Sequence, residues 1–392
     1  MERMPEVRRL IQARDARGAL TLLRTIETRV PDHPNVAFLR AHAYGTAGIL
    51  DSAEIDIRRL LHWDARYAQL ALRDSSVATL RTRFPDIDSL AARAGRPVST
   101  ASVWATIAEP DLVAEGTAYD PATRSVLIGS LNKYKIVAIG PDGTVSDRVA
   151  PATGGIRSIA GIHVDSVRGI LWAASNARFD TPADSTPSAL YAFDARTGAF
   201  RHRVAVPAGG AHFLNDITTS PDGTVFVTDS RAGRLWTAHP AERTLRDVGA
   251  IGPLLAPNGI TISTDGRVLF LSDADHIRGH ELATGRTWRL AQPDSIGTSG
   301  IDGLAFHGDA LIAHHPLSFW RIARYQLDPT LRSITGRTLI EANTPDSRTS
   351  TTGELAAGQY VFIGNSQIDR MNQRQIDAAT MQPIRIYRIP LP

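Results

Sequence analysis

The sequence predicts a mainly β fold, a six-bladed β-propeller, preceded by a small all-α helical-repeat unit. Three observations carry that expectation. Short alternating strands fill the chain from about residue 100 onward, with turn signals such as PDG and TDG between them. A two-residue opening recurs six times in that region, at intervals of 43 to 55 residues. Residues 1–95 instead carry apolar stripes of helical period.

The helical part comes first in the chain. Segment 16–30, ARGALTLLRTIETRV, places Ala19, Leu22, Leu23 and Ile26 on one face, and Pro31 and Pro34 punctuate its end. Segments 35–48 and 51–63 read as two further helices. A shift of 34 residues superposes Ala19 on Ala53, Leu23 on Ile57, Arg24 on Arg58 and Ile26 on Leu60, which is the tetratricopeptide period. Ala41, Tyr44, Gly48 and Ala53 fall where that repeat wants small, aromatic, turn and small residues. Fewer than three complete repeats are present, so this unit is expected to lean on its neighbour. Such a short array suits a packing cap or a self-association surface better than a groove for a protein partner.

The remainder, residues 96–392, reads as one propeller. The recurring openings are Glu115-Gly116, Ala160-Gly161, Asn215-Asp216, Asn258-Gly259, Asp302-Gly303 and Thr352-Gly353. Blocks of this length hold about four strands, the content of a propeller blade. The last block has strands near 353–357, 359–364 and 384–390 and is one strand short. Segment 101–108, ASVWATIA, has no block of its own. It is expected to close the sixth blade as its outer strand, which removes an open sheet edge.

Composition narrows the chemistry. The 392 residues are 43% hydrophobic and 21% charged, ordinary for a globular protein. There is no cysteine, which excludes disulfides, a thiol nucleophile and any thiolate metal site. No apolar run is long enough for a membrane span. The start, MERMPEVRRLIQARDARG, lacks the apolar core of a signal peptide. The expected compartment is therefore cytoplasmic, or periplasmic or secreted if a signal was removed. Lysine occurs only at Lys133 and Lys135, so nearly all of the 43 basic residues are arginine. A net charge of +3, without a dense basic face, argues against nucleic acid as a partner.

In a propeller the first strand of each blade lines the central axis, and its opening residue faces one mouth of the channel. Those positions hold Glu115, Ala160, Asn215, Asn258, Asp302 and Thr352, four of which carry carboxylate or amide oxygens. Convergent oxygens suit a hard divalent cation. Calcium is the first choice, with magnesium, manganese and then zinc as alternatives; zinc comes last because no His or Cys stands at these openings. Turn chemistry alone would also place Asn and Asp at strand starts. Four such residues at equivalent positions, tens of residues apart, favour a site.

The motifs AEGTAYD (114–120), FLNDIT (213–218), PNGITIS (257–263) and GIDGLAF (300–306) resemble signature segments of the senescence-marker-protein, gluconolactonase and luciferin-regenerating-enzyme family. The resemblance spans about 110–390 and rests on the ordered set rather than on any one motif. It implies that Glu115, Asn258 and Asp302 ligate one divalent metal, with Asn215 beside it as a further ligand or a holder of substrate or water. It also implies Asp302 as general base. Sugar-lactone hydrolases of the family carry Arg two positions before that Asn; here Phe213 stands there, preceded by His212. The expected pocket is more apolar at that point, with His212 and Phe213 as substrate contacts.

A carboxylate bound to a cation is a weakened base, so histidines are candidates for the base as well. The strand after Asp302 ends in His314-His315, expected back at the same mouth, with His314 a candidate substrate contact. Other second-strand ends, Ser130, Asn176, Asp229, Asp273 and Asn365, read as a polar rim. His163 reads as a structural histidine. GTSGI (297–301) lacks the final Gly of a nucleophile elbow, and DADHIRGHE (273–281) lacks EF-hand spacing. No glycine-rich phosphate loop is present, so no nucleotide cofactor is expected. The expected function is divalent-metal-dependent hydrolysis of a small lactone or ester. The alternatives are a non-catalytic propeller binding a small molecule or protein, and a metal-dependent lyase or isomerase stabilising an enolate.

Overall fold

The computed structural model describes residues 3–177, 187–316, 319–345, 349–372 and 376–391. Helices come first: α1 (Met4–Gln12), α2 (Ala16–Glu27), α3 (Pro34–Thr46), α4 (Leu50–Trp63), α5 (Ala65–Ala71) and α6 (Ile87–Ala94). Each presents its apolar stripe inward. Ala19, Leu22, Leu23 and Ile26 of α2 are buried, as are Ala53, Ile57, Leu60 and Trp63 of α4. Asp15 caps α2, its side chain accepting from the Gly18 amide at 2.8 Å, and Asp64 caps α5 through the Arg66 amide at 2.9 Å. No helix among the described residues is long and apolar enough to cross a membrane.

Six four-stranded antiparallel sheets follow, arranged as a six-bladed propeller. Their channel-lining strands are Ala114–Asp120, Ser158–Asp165, Leu214–Thr219, Pro257–Ile262, Leu304–His307 and Gly353–Ala356, for blades 1 to 6 in order. In blade 6 the fourth, outer strand is Ser102–Ile107, paired antiparallel with Ile384–Pro390. The first strand of the β region thus completes the last sheet. Second and third strands are the most buried; Leu171–Ala174 and Phe270–Leu271 are almost wholly covered.

A β-bulge opens four of the channel strands. The register shifts between Glu115 and Thr117, Ile159 and Ile162, Leu214 and Ile217, and Pro257 and Ile260. A bulge breaks the regular alternation of side chains, and here it falls at the opening pair of blades 1 to 4. The residue after the opening is glycine in five blades: in blades 1, 2, 4 and 5 the neighbouring channel strand leaves no room for a side chain, and in blade 6 Tyr360 of the same sheet fills the space. A Cβ at Gly161 would stand 2.2 Å from the Asn215 carbonyl oxygen, and one at Gly259 2.3 Å from that of Asp302. Gly161→Ala is expected to lower stability by about 1–3 kcal/mol, the usual cost of overpacking. An unchanged denaturant midpoint would show that the blades do not approach this closely.

The helices dock on blades 4 and 5, on the face where the channel strands begin. Leu255 and Ala274 of blade 4 pack against the core of α1 to α3. The Asp32 amide donates to Asp275 Oδ2 at 2.8 Å, and the Asp32 carboxylate pairs with Arg59 of α4 and Arg289 of blade 4. Tyr67 meets Phe319 edge-on at 4.7 Å between ring centroids. Asn343 Nδ2 donates to the carbonyls of Ala94 and Arg96 at 3.0 and 2.8 Å. Val98 and Ala342 exchange two backbone bonds.

Candidate metal centre

The six opening residues form a ring around the axis. Asn258 Nδ2 reaches Asp302 Oδ1 at 2.5 Å, so the openings of blades 4 and 5 are in direct contact. Glu115, across the ring, feels the Asp302 and Asp216 charges and lies beside Thr351. Asn215 is buried, its Nδ2 held by Ser230 Oγ at 3.1 Å. Ala160 and Thr352 complete the circle. Asn258 and Asp302 are thus in contact and the charge of Asp302 reaches Glu115, with Asn215 at the equivalent position of blade 3.

The ring is polar and poorly satisfied. Glu115 Oε2, Asn258 Oδ1, Thr351 Oγ1 and Thr352 Oγ1 are buried without a hydrogen-bond partner. Buried oxygens are seldom left so, and an oxygen-seeking divalent cation would satisfy them. No group of three or more His, Cys, Asp or Glu side chains poised to hold a metal occurs among the described residues. The set here is different in kind: two carboxylates, with amide and hydroxyl oxygens making up the rest. That chemistry fits calcium, and the residues present fit such an ion.

Electrostatics agree with an uncompensated cluster of acids. Burial, and then the Asp302 and Asp216 charges, push the Glu115 carboxyl well above its ordinary range. Asp302 is pushed up to about 7 by burial, against the pull of its Asn258 hydrogen bond. Burial with the Asp302 and Glu354 charges takes Asp216 up to about 8. Burial takes Glu354 up to about 7. Buried carboxyl groups crowded in this way hold their protons unless a positive charge beside them keeps them ionised.

Asp216 and Glu354 were not singled out from the sequence. Both line a cavity of about 180 Å³ that continues down the channel from the ring, beside Thr117, His163, Thr352 and Phe306. Their signals were present. Asp216 stands where the other five openings have glycine, and Glu354 holds a position occupied by Thr or an aliphatic residue in the other blades. His163 does face this cavity, its Nε2 3.0 Å from Thr219 Oγ1, and burial pushes it down to about 4.

Two expected substrate contacts are corrected. His314 does not reach the rim. It is wholly buried between blades 5 and 6, with Nδ1 3.1 Å from Ser350 Oγ and Nε2 2.8 Å from Tyr360 Oη. Strand alternation turned its side chain into the blade interface, and burial pushes it down to about 3. His212 likewise spends both nitrogens on the fold, Nδ1 on Asp229 Oδ2 at 2.7 Å and Nε2 on the Gly209 carbonyl at 2.8 Å.

The polar rim is also corrected. Ser130, Asn176, Asp229 and Asp273 are buried and tie each second strand to the loop leading into a channel strand. Phe213 joins an apolar cluster with Val113, Leu131, Ala160, Met371 and Met381. The two methionines come from the segment between Ile363 and Ile384 in blade 6, and this cluster leans on the ring from the side of blades 1 to 3.

The architecture and this oxygen-lined ring define a six-bladed propeller with an axial candidate cation site. No family model matches the sequence, and no curated protein matches it. Among solved structures, the fold is similar to a gluconolactonase from Xanthomonas campestris, at 18% identity and a TM-score of 0.53, covering 77% of this chain and 93% of that one. It is also similar to the calcium-binding protein regucalcin from Agrobacterium tumefaciens, at 14% identity and a TM-score of 0.50, covering 72% of this chain and 93% of that one. At such identities the likeness establishes the shared propeller fold.

Proposed function

We propose that this protein is a divalent-metal-dependent hydrolase of a lactone or ester, acting at the axial ring. The observation that carries the reading is the group of unpartnered buried oxygens on Glu115, Asn258, Thr351 and Thr352 around Asp302. Two solved proteins of similar fold, described as a gluconolactonase and a calcium-binding protein, support it. Glu115, Asn258 and Asp302 would hold the ion, with Asn215 beside them. When bound, a divalent cation there supplies polarisation of the acyl carbonyl and stabilisation of the oxyanion formed on it.

The chain's own groups do the rest. Asn258 occupies Asp302 Oδ1, so Oδ2 is the oxygen left to take a proton from water. The water oxygen bonds to the acyl carbon, the acyl C–O bond breaks, and the proton passes from Asp302 to the departing alkoxide. Asp302 thereby returns to its starting state. Phe213, Met371 and Met381 offer an apolar surface beside the ring in place of a guanidinium. Aliphatic lactones and esters are therefore favoured over hydroxyl-rich sugar lactones.

The test is turnover of a panel of γ- and δ-lactones, gluconolactone and simple esters, with chelator and with added Ca²⁺ or Mn²⁺. Hydrolysis of aliphatic lactones, lost with chelator and restored by metal, is the expected result. Metal binding without turnover on any member would leave a binding propeller. Product formed without oxygen from solvent water would assign a lyase or isomerase.

A further inference from the structure

The joint between the helices and blade 5 encloses a cavity of about 140 Å³, lined by His33, Asn35, Tyr67, Ser299, His315 and Arg321 among others. Arg321 is only 8% exposed. Its Nη1 donates to the Phe319 carbonyl at 3.2 Å, the group also contacts Tyr325, and its Nε is buried with no partner. Nη2 lies 3.4 Å from His315 Nδ1, which is also 3.0 Å from the Ser299 carbonyl, while His315 Nε2 lies 2.9 Å from Tyr325 Oη. Even a bond from Nη2 to His315 leaves most of the five guanidinium N–H donors, Nε among them, without a partner. A buried guanidinium thus stands with donors to spare.

Nothing nearby neutralises it. Among the described residues no ion pair involves Arg321 or Arg337; burial and then the Arg321 charge push Arg337 down, against the opposing pull of Tyr325 and Asp64. The carboxylates whose charges reach this joint, Asp275 at His33 and Asp64 at Arg337, are already bonded elsewhere. Asp275 accepts from the Asp32 amide at 2.8 Å and lies 2.6 Å from His276 Nδ1, while Asp64 is held by Arg66 at 2.6 Å. Burying a charge without a counterion is costly, so the chain is expected to recruit one.

The opposite wall adds donors. His33 Nδ1 accepts from the Asn35 amide at 3.1 Å, which leaves the ring proton of neutral His33 on Nε2. His33 is also the N-cap of α3, a 13-residue helix, whose positive end favours an anion there. The first-turn amides of α3 are already bonded to His33, so side chains would provide the direct contacts.

We infer that this cavity binds a small oxyanion, a carboxylate or a phosphate, held by Arg321 from the propeller and His33 from the helices. The anion bridges the two parts of the chain and stabilises their docking. The site is separate from the ring and does not depend on the proposed hydrolysis.

The test uses the full chain, titrated with inorganic phosphate and with acetate against chloride at matched ionic strength, read by melting temperature and calorimetry. A saturable rise with either anion is expected; phosphate alone or acetate alone would identify the class. Arg321→Gln is expected to weaken that binding at least about tenfold, as loss of a charged hydrogen-bond donor does, and to leave Ca²⁺ binding unchanged. No saturable response to either anion, or the same affinity in Arg321→Gln, would overturn the inference. Should Arg321→Gln fail to fold, His33→Leu decides: weakened binding upholds the site, and unchanged affinity overturns it.

Discussion

A chain beginning at residue 111 is expected to aggregate or remain unfolded, although it retains nearly all of the propeller. Beyond the helices, it loses the outer strand of blade 6. Ser102–Ile107 pairs with Ile384–Pro390 in the register Ile107 to Ile384 and Ser102 to Arg388. Ile107 is 1% exposed and packs with Leu112, Val361, Ile384 and Ile386 in the core shared by blades 6 and 1. Each such side chain contributes about 1.5–3 kcal/mol on burial, a large share of a typical stability of about 5–15 kcal/mol. The strand left behind also presents an unpaired edge, a template for association.

Removal of residues 1–95 alone is a milder change, because the closing strand stays. It uncovers Leu255, Ala274 and Phe319 and should cost solubility more than folding. Light scattering and circular dichroism of both truncations measure the difference. A monomeric, cooperatively melting 111–392 chain would refute the closing role of the strand.

Glu115→Ala and Asp302→Ala are each expected to abolish Ca²⁺ binding while the propeller stays folded. Each removes one of the two ring carboxylates, leaving only neutral ligands and a single charge for a divalent ion. Acidity should act in the same direction. The folded pKa of Asp302, about 7, lies above the ordinary 3.8 of an Asp, so between those values the metal-free folded chain binds more protons than the unfolded chain. Its contribution to stability is then fully present below about pH 4 and is lost as pH rises toward 7. Glu354, about 7, and Asp216, about 8, act with the same sign.

A bound cation keeps the ring carboxylates ionised and cancels that part of the trend. The rise in melting temperature on adding Ca²⁺ should therefore be large at pH 8 and small at pH 5. Asp302→Asn, treated with chelator, should be more stable than the parent at pH 8, because the costly buried charge is gone. Calcium-induced shifts equal to the parent's in Glu115→Ala and Asp302→Ala would remove these residues from the site.

The periodic parts of this architecture were legible in the sequence. Openings such as Asn258-Gly259 and Asp302-Gly303 mark both the blade repeat and the tight approach of neighbouring channel strands, so a packing constraint doubles as punctuation. The oxygen ring followed from the same register. What escaped depends on contacts between blades. His314, one residue before the end of its strand, lies at the ring's mouth by backbone, its carbonyl accepting from the Asp302 amide at 2.9 Å, yet its side chain turns into the interface with blade 6. No periodicity reveals which way a strand end turns.

Asp216 and Glu354 broke the pattern at their positions, and a departure from repeat is the signal that finds such residues. Among the described residues, the apolar cluster of Met371 and Met381 has no counterpart in the other blades, so nothing in the repeat announced it. Helix α1 was hidden for a related reason. Only Met4 and Val7 of it are buried, too few to display a period.

Everything proposed for the ring depends on one ion meeting side chains from blades 1, 4 and 5. Diffraction from crystals grown with Mn²⁺ or Ca²⁺, with the anomalous signal recorded for Mn²⁺, examines this directly. The expected result is a single axial ion with calcium–oxygen distances of about 2.3–2.6 Å to Glu115, Asn258 and Asp302. A ring without density for an ion at saturating metal, or an ion held by other residues, would contradict it.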